Sequence, residues 1–279
     1  MEIFANHAHV FPDEVRPEGS IESLLRLMDT CGIARAVCFA PFRRQVADAG
    51  CREPNEWLVE AIADQPRLVG FACIDPVADD ALDRLARARE MGLVGCKLHP
   101  AFDRFDILDQ RAVDFYAAAQ EIGMVLDFHT GPHWWRISDY HPLKFDEIAF
   151  ARPGLCMILE HMGGRPFFED VLAVLGNNLP INAPGNLYGG ISSVLNRDYQ
   201  KLWYLGIERV AEAIHILGED MPIFGLDFPY NTVEHIRDDI TQLSGLGLSR
   251  EGMAKLFGGN LQRAIAGPSM TERFAAPGE

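Results

Sequence analysis

Residues 67–100 read RLVGFACIDPVADDALDRLARAREMGLVGCKLHP, and their pattern decides the fold. Two short apolar runs, 67–76 and 93–100, are typical of buried strands bounded by turn residues. Between them, residues 79–92 carry apolar side chains at helical spacing, and Gly92 is placed to end the helix. A strand, a helix and a second strand in this order indicate a parallel βαβ unit.

The same alternation continues in both directions along the chain. It predicts eight strands, within residues 2–10, 34–41, 67–76, 93–100, 124–131, 154–164, 178–185 and 221–229. Eight βα units indicate an α/β fold, a single (β/α)8 TIM barrel that forms one domain over residues 1–279. An open doubly wound sheet is the alternative, and the lack of GxGxxG after the first strand disfavours it. The tail from about residue 268 is expected to be loose surface chain.

The charge and cysteine content exclude several classes of protein. The chain has 279 residues, of which 40 are acidic and 25 basic, for a net charge of -15. This balance argues against nucleic acid or an anionic membrane as a partner, because both bind basic patches. The six cysteines form no CxxC pair, so we expect free thiols in a reducing compartment. Without a signal peptide or a membrane-length apolar run, the protein is predicted to be soluble and cytoplasmic.

The carboxyl-terminal ends of the predicted strands carry an unusual set of polar residues. The set comprises His7, His9, Lys97, His99, His129, His161 and Asp227. In a TIM barrel these strand ends surround the active site. Because side chains alternate faces along a strand, His7 and His9 are expected to point the same way and to reach one ion. A single buried histidine is usually structural, but this combination predicts a metal site.

The ordered motifs of the chain resemble those of the amidohydrolase superfamily. They are NHAHVFP (6–12), GCKLHP (95–100), DFHTG (127–131), LEHMGG (159–164), FGLDFP (224–229) and LFGGNLQRAI (256–265). The closest resemblance is to the amidohydrolase-related group that includes aminocarboxymuconate semialdehyde decarboxylase and related hydrolases. It extends from residue 3 to about residue 266. HxH alone is a weak signal, whereas HxH followed by HTG, HMGG and the last aspartate is specific.

The resemblance implies roles for individual residues. His7, His9 and His129 correspond to metal ligands, and Asp227 corresponds to an aspartate that both binds metal and moves a proton. His161 corresponds to a histidine that acts on the substrate or on water in one-metal members. Two departures from the family pattern are Leu226, where serine is usual, and residues 178–186, which lack the usual YxDxS character.

The residue types themselves agree with metal chemistry. Three imidazoles and one carboxylate suit Zn²⁺, with Mn²⁺ as an alternative, and leave a position for water. The ion is expected to lower the pKa of that water toward ~7, and Asp227 to accept its proton. His161 is expected to polarise the scissile group or to stabilise a developing oxyanion.

Lys97 lies on the strand where two-metal members of the superfamily carry a carboxylated lysine. Asp127 shares the inner face of the adjacent strand with His129. A buried Lys97–Asp127 ion pair is therefore the alternative to a lysine that bridges two metals. We favour the ion pair, and hence one metal ion, because an unpaired buried carboxylate is costly.

Loop residues close to the strand ends are candidates for substrate binding. They are Arg43, Arg44, His99, Trp134, Trp135, Arg136 and Arg165. Adjacent aromatic rings beside an arginine suit a planar, carboxylated substrate. Alternatively, the two tryptophans pack the loop or a subunit interface. Family members often pair, so the resemblance also implies a homodimer.

These observations predict a metal-dependent hydrolase of the amidohydrolase-related family. It would act on an ester, lactone or amide of a small, carboxylated substrate through a metal-activated water. A non-oxidative, metal-dependent decarboxylase of a carboxylated ring or enoate would use the same residues and is the alternative. A third interpretation is a catalytically inactive metal-binding barrel. The presence of a full set of acid, base and ligand residues argues against it.

Overall fold

The computed structural model describes residues 2–50, 53–179 and 185–267. Its strands are β1 (Ile3–His9), β2 (Ile33–Phe39), β3 (Leu68–Cys73), β4 (Gly95–Leu98), β5 (Val125–His129), β6 (Met157–Glu160), β7 (Leu187–Ile191) and β8 (Pro222–Phe228). The eight strands form a closed parallel barrel in sequence order, in which β8 pairs with β1. The predicted TIM barrel is confirmed, and the tail from residue 268 lies outside the described residues.

Helices surround the barrel between successive strands. They are α1 (Ile21–Cys31), α2 (Arg43–Val46), α3 (Pro54–Ile62), α4 (Ala81–Glu90), α5 (Pro100–Asp103), α6 (Gln110–Glu121), α7 (Ile137–Tyr140), α8 (Lys144–Ala151), α9 (Gly164–Asn177), α10 (Ile207–Leu217), α11 (Val233–Ser244), α12 (Arg250–Ala254) and α13 (Asn260–Ala266). Short 3-10 turns cover Pro17–Gly19, Ala47–Ala49 and His161–Gly163, and a π-helical turn covers Lys255–Gly259. Within the described ranges, no helix combines the length and the apolar character that crossing a membrane requires.

Local sequence explains how the helices attach to the barrel. In α1, Leu24, Leu27 and Met28 recur at helical spacing and are buried. Ser20 caps the helix by accepting a hydrogen bond from the Ser23 N–H at 3.2 Å. Apolar faces of this kind join the strand side chains in one continuous hydrophobic core. The strand ends are thereby held on a rigid frame, which positions the side chains at the barrel mouth.

The seventh strand is the element that the sequence misplaces. The sequence predicts it within residues 178–185, of which 180–184 lie outside the described residues, whereas the structure has the strand at β7. β7 reads LYGGI, and adjacent glycines weaken the strand signal because glycine has low β propensity. Both glycines make room for neighbours. A Cβ at Gly190 would lie 2.2 Å from Glu160 Cδ, and one at Gly189 would lie 2.6 Å from Met221 Sδ.

Candidate active site

Two histidines at the end of β1 meet an aspartate at the end of β8. His7 Nε2 lies 3.2 Å from His9 Nε2 and 3.4 Å from Asp227 Oδ1. His9 Nε2 lies 3.9 Å from the same carboxylate oxygen. All three side chains are buried. Two imidazole nitrogens and one carboxylate oxygen therefore converge at the carboxyl-terminal end of the barrel.

β1 is irregular where it carries these histidines. Ala5 pairs with Ala36 and Ala8 with Cys38, so a step of three residues in β1 faces a step of two in β2. This register shift is a β-bulge, and His7 within it has a left-handed backbone with φ 66°. The predicted meeting of His7 and His9 is present, but the bulge produces it and not simple alternation.

Asp227 is held by a chain of hydrogen bonds from neighbouring loops. The Ser193 hydroxyl donates to Asp227 Oδ2 at 2.5 Å, and Asn231 Nδ2 donates to Ser193 Oγ at 2.9 Å. Burial raises the pKa of Asp227 to about 6, although the bond from Ser193 acts in the opposite direction. Asn231 directly precedes Thr232, whose side chain caps α11. Asn231 instead supports the site.

His161 follows β6 and has its ring orientation set by the backbone of the next strand. Its Nδ1 lies 2.8 Å from the Ser192 carbonyl oxygen, which accepts the proton of that nitrogen. Burial lowers the pKa of His161 to about 4, so the ring is neutral and Nε2 is an acceptor. Trp203 stacks on this ring, with centroids 4.8 Å apart and planes at 16°. Sequence reasoning missed Trp203, because nothing in its local pattern links it to β6.

His129 ends β5 and lies beside His161, with ring centroids 4.8 Å apart. His99 stacks on His129 at 3.9 Å and 15°, and also caps α5 by accepting from the Phe102 N–H at 3.3 Å. Burial lowers the pKa of both imidazoles well below the ordinary histidine value. His129 Nε2 is buried and has no hydrogen-bond partner among the described residues. A buried imidazole nitrogen without a hydrogen-bond partner is available to coordinate a metal ion.

Deeper in the barrel, a charged pair supports the histidines. Lys97 Nζ donates to Asp127 Oδ1 at 2.7 Å, and both side chains are fully buried. The ion pair that the sequence favours is therefore present. Asp127 also accepts from Asn6 Nδ2 at 2.7 Å. Burial raises the pKa of Asp127, and the charge of the adjacent Lys97 acts in the opposite direction.

Glu160 links the Lys97–Asp127 pair to the histidines at the barrel mouth. These histidines, here called the histidine cluster, are His7, His9, His99, His129 and His161. Its Oε1 accepts from Asn6 Nδ2 at 2.6 Å, and its Oε2 accepts from the Ser192 hydroxyl at 2.8 Å. His7 Nδ1 approaches Oε2 at 3.2 Å, without the alignment of a hydrogen bond. Asn6 and Glu160 were not predicted from the sequence. Each directly precedes a predicted site histidine, so regular strand alternation would place its side chain on the opposite face.

Among the described residues, two groups of three side chains have ligand atoms within 4.8 Å of one another. They are His7, His161 and Asp227, and His7, Asp127 and Glu160. His9 adjoins the first group through its contacts with His7 and Asp227, whereas His129 adjoins it through the ring of His161. Imidazole and carboxylate ligands of this kind fit Zn²⁺ or Mn²⁺. In the second group the carboxylates already accept hydrogen bonds. Asp127 accepts from Lys97 and Asn6, and Glu160 accepts from Asn6.

The arginines predicted to bind substrate lie outside the histidine cluster. Arg43 pairs with Glu53 at 2.8 Å and with Asp80 at 3.6 Å. Arg44 Nη1 lies 3.5 Å from the Phe102 carbonyl oxygen, close to α5. Arg165 is exposed at the start of α9.

The predicted aromatic residues lie in the loop after β5, where the ring of Trp134 packs on that of His133 with centroids 4.5 Å apart. Trp134 is 92% exposed. Trp135 Nε1 donates to Asp139 Oδ2 at 2.7 Å, and Arg136 Nη2 donates to the same oxygen at 2.9 Å. Of the predicted substrate residues, His99 is the one that the structure brings into contact with a predicted metal ligand, through its stacking on His129.

A closed barrel with histidines and an aspartate at its strand ends is the architecture of a metal-dependent barrel enzyme family. The sequence profile of the amidohydrolase family matches residues 6–264, and the chain belongs to this family. The predicted membership in the amidohydrolase superfamily is confirmed. No protein of curated function matches the chain.

Solved structures with a similar fold include decarboxylases and hydrolases. A dihydroxybenzoic acid decarboxylase from Polaromonas sp. JS666, with bound manganese and 2-nitroresorcinol, has TM-score 0.68 and 19% identity over 95% of this chain and 97% of that one. A candidate 2-pyrone-4,6-dicarboxylic acid hydrolase from Pseudomonas putida has TM-score 0.68 and 16% identity over 95% and 97%. A zinc-bound amidohydrolase from Burkholderia multivorans has TM-score 0.71 and 16% identity over 96% and 100%.

Proposed function

We propose that this protein is a metal-dependent hydrolase of a small, carboxylated ester, lactone or amide. The observation that carries the proposal is the approach of His7 Nε2 and His9 Nε2 to each other at 3.2 Å and to Asp227 Oδ1 at 3.4 and 3.9 Å. His129 is the fourth proposed ligand, and its unpartnered Nε2 supports that assignment. One Zn²⁺ or Mn²⁺ ion suits these ligands. When bound, it supplies Lewis acidity and lowers the pKa of water.

The residues of the chain supply orientation and proton transfer. Because Ser193 holds Oδ2 of Asp227, Oδ1 faces the histidines and is placed to accept a proton from the attacking water. The same carboxyl can return this proton to the leaving group. His161 has its proton on Nδ1, so its Nε2 orients water as an acceptor. This tautomer does not suit the expected donation to a developing oxyanion.

Decarboxylation of a carboxylated ring or enoate is the second candidate. The barrel is similar to that of a dihydroxybenzoic acid decarboxylase. In addition, the indole of Trp203 stacks on His161 and places an aromatic side chain beside the site. In that reaction the substrate loses carbon dioxide, and Asp227, protonated from solvent, delivers a proton to the carbon that carried the carboxylate. His161 keeps its proton on Nδ1 and therefore orients the substrate as an acceptor. Both reactions use the same residues, so the products must distinguish them.

Metal content is the first test. Protein grown with Zn and Mn supplements is analysed by elemental mass spectrometry, with the His7→Ala/His9→Ala variant beside it. We expect about one equivalent in the wild type and loss of that metal in the double variant. His215→Ala, which removes an exposed histidine from α10, is the matched control and should retain the metal. A wild type that takes up no metal after add-back would contradict the proposal.

The reaction is tested on metal-loaded protein with a panel of carboxylated lactones, esters, amides and rings. In H₂¹⁸O, hydrolysis places one ¹⁸O atom in the product acid and releases no carbon dioxide. In D₂O, decarboxylation releases carbon dioxide and places deuterium on carbon. Asp227→Asn should lower kcat by about 10²–10⁴-fold in either case. Asp64→Asn, an exposed aspartate, should not. Full turnover by Asp227→Asn would refute the assigned proton transfer.

A further inference from the structure

A cationic cleft of about 410 Å³ lies at the starts of α9 and α10. Its lining residues are Arg165, Arg197, Lys201, Tyr204, Leu205 and Arg209. Four of these six are basic, in a chain whose net charge is -15. Within the described ranges, Arg165, Arg197 and Lys201 have no carboxylate at ion-pair distance, and Arg209 approaches only Glu169, at 3.7 Å. A cluster of unpaired like charges favours the binding of an anion.

The backbone adds positive potential to the cationic cleft. α9 and α10 begin there, with Arg165 and Arg209 in their first turns. In the part of the chain that the structure describes, neither helix has a side-chain cap, and Glu208 is the one acidic residue in the first turn of either. Helix N-termini carry partial positive charge that acidic side chains usually offset. Here arginines reinforce that charge.

Trp203 lies between residues of the cationic cleft in the chain and also contacts the histidine cluster. Its neighbours Lys201 and Tyr204 line the cleft, while its indole stacks on His161 at 4.8 Å and lies 5.3 Å from the ring of His129. The start of α9 is also close to Trp203, since a Cβ at Gly164 would lie 3.1 Å from Trp203 Cα. The cationic cleft therefore adjoins the candidate active site at Trp203.

We propose that the cationic cleft binds a distal anionic group, a carboxylate or phosphate, of the substrate that reacts at the histidine cluster. This inference rests on the proposed function and narrows its substrate class to acids with an anionic group remote from the scissile bond. The guanidinium groups of Arg165 and Arg197 match such a group bidentately. Lys201 adds a compact charge, and the Tyr204 hydroxyl adds a donor.

Calorimetric titration of metal-free protein with citrate and with inorganic phosphate tests the cationic cleft directly. Metal-free protein is used because citrate would otherwise bind the ion. We expect both anions to bind and Arg197→Glu/Lys201→Glu to weaken each by about tenfold or more. Arg89→Glu, an exposed arginine on α4, is the matched control and should bind as the wild type does. Equal binding by the wild type and the double variant, or none by either, would overturn the proposal.

Kinetics separate a substrate anchor from a site for a free anion. With a substrate from the panel, the double variant should raise KM and keep kcat, because the lost contacts are uniform in ground and transition states. Phosphate should then inhibit competitively. A lower kcat with non-competitive phosphate would indicate a separate effector site and overturn the assignment. The double variant should keep one metal equivalent, whereas a wild type that binds citrate but no metal would refute the proposed function alone.

Discussion

Left-handed backbone conformations concentrate at the candidate active site. His7, His161, Ser193 and Asp227 have φ values of 66°, 61°, 55° and 48°. Such conformations cost a non-glycine residue about 1 kcal/mol or more and persist where the surroundings hold them. Each side chain is held here by a buried contact. The reversal of the backbone also lets the preceding residue face the barrel interior, as Asn6, Glu160 and Ser192 do.

Glu160 yields a prediction at this scale. Its carboxylate lies 3.2 Å from His7 Nδ1, so its negative charge stabilises a cation bound by that histidine. Glu160→Gln keeps the shape and removes the charge. We expect metal affinity to fall by about 10–100-fold, measured by competition with a chromophoric chelator. Glu212→Gln, on the exposed side of α10, should leave the affinity unchanged. Equal affinities for the two variants would show that Glu160 does not support the site.

At the scale of elements, neighbouring strands depend on each other for space. β6 and β7 pair with Glu160 opposite Gly190, and the missing side chain of Gly190 is what accommodates the Glu160 carboxylate. The same glycine weakens the sequence signal of β7. Gly190, which makes β7 hard to recognise in the sequence, is therefore also the residue that leaves room for the Glu160 carboxylate in the site.

Gly190→Ala should expose this dependence. The new methyl group would lie 2.2 Å from Glu160 Cδ and displace the carboxylate. We expect a loss of about 1–3 kcal/mol of stability from overpacking, together with weaker metal binding. The matched control is Gly176→Ala in α9, where the nearest atom is Leu217 Cδ2 at 3.5 Å, and a gain of about 0.5 kcal/mol is expected. Melting temperatures check both, and an unchanged Gly190→Ala protein would contradict this account.

At the scale of the whole molecule, barrel closure brings distant segments together. β1 pairs with β8, which places His7 next to Asp227 although 220 positions separate them. An ion held by both residues joins the first and last strands and is expected to stabilise the folded state.

Metal removal tests this link. A ligand at about 100 times its Kd stabilises a protein by ~2.7 kcal/mol, which corresponds to a rise in melting temperature of about 5–10 °C for a domain of this size. Adding Zn²⁺ or Mn²⁺ to chelator-treated protein should produce that rise in the wild type and not in His7→Ala/His9→Ala. A similar rise in both proteins would place the ion elsewhere.

The pH dependence of stability should depend on Asp239, a buried residue of α11. Asp239 is 3% exposed, and burial, followed by the charge of Asp238, raises its pKa to about 7 from an ordinary value of 3.8. The folded state therefore binds the proton more tightly than the unfolded chain. Its contribution is complete below about pH 4 and is lost as pH rises to about 7, by up to ~1.4 kcal/mol per pH unit.

Asp239→Asn removes this titration. The melting temperature of the wild type, relative to that of the variant, should fall as pH rises from 4 to 8. Asp64→Asn, which replaces an exposed aspartate, should follow the wild type throughout. Parallel curves for the wild type and Asp239→Asn would show that the buried carboxyl does not control the pH dependence.

The sequence by itself determined the barrel and the residue types at its mouth. The periodicity of apolar residues and the glycines that end helices are local properties, so they can be recognised in the sequence without knowledge of the fold. Only the tertiary structure decided that His7 and His9 meet through a bulge, that Trp203 covers His161, and that Trp134 is exposed. It also decided the support of the site, since Asn6 bonds to Glu160 across 154 positions. Bulges, left-handed strand ends and loop paths depend on packing between distant residues, which no local pattern records.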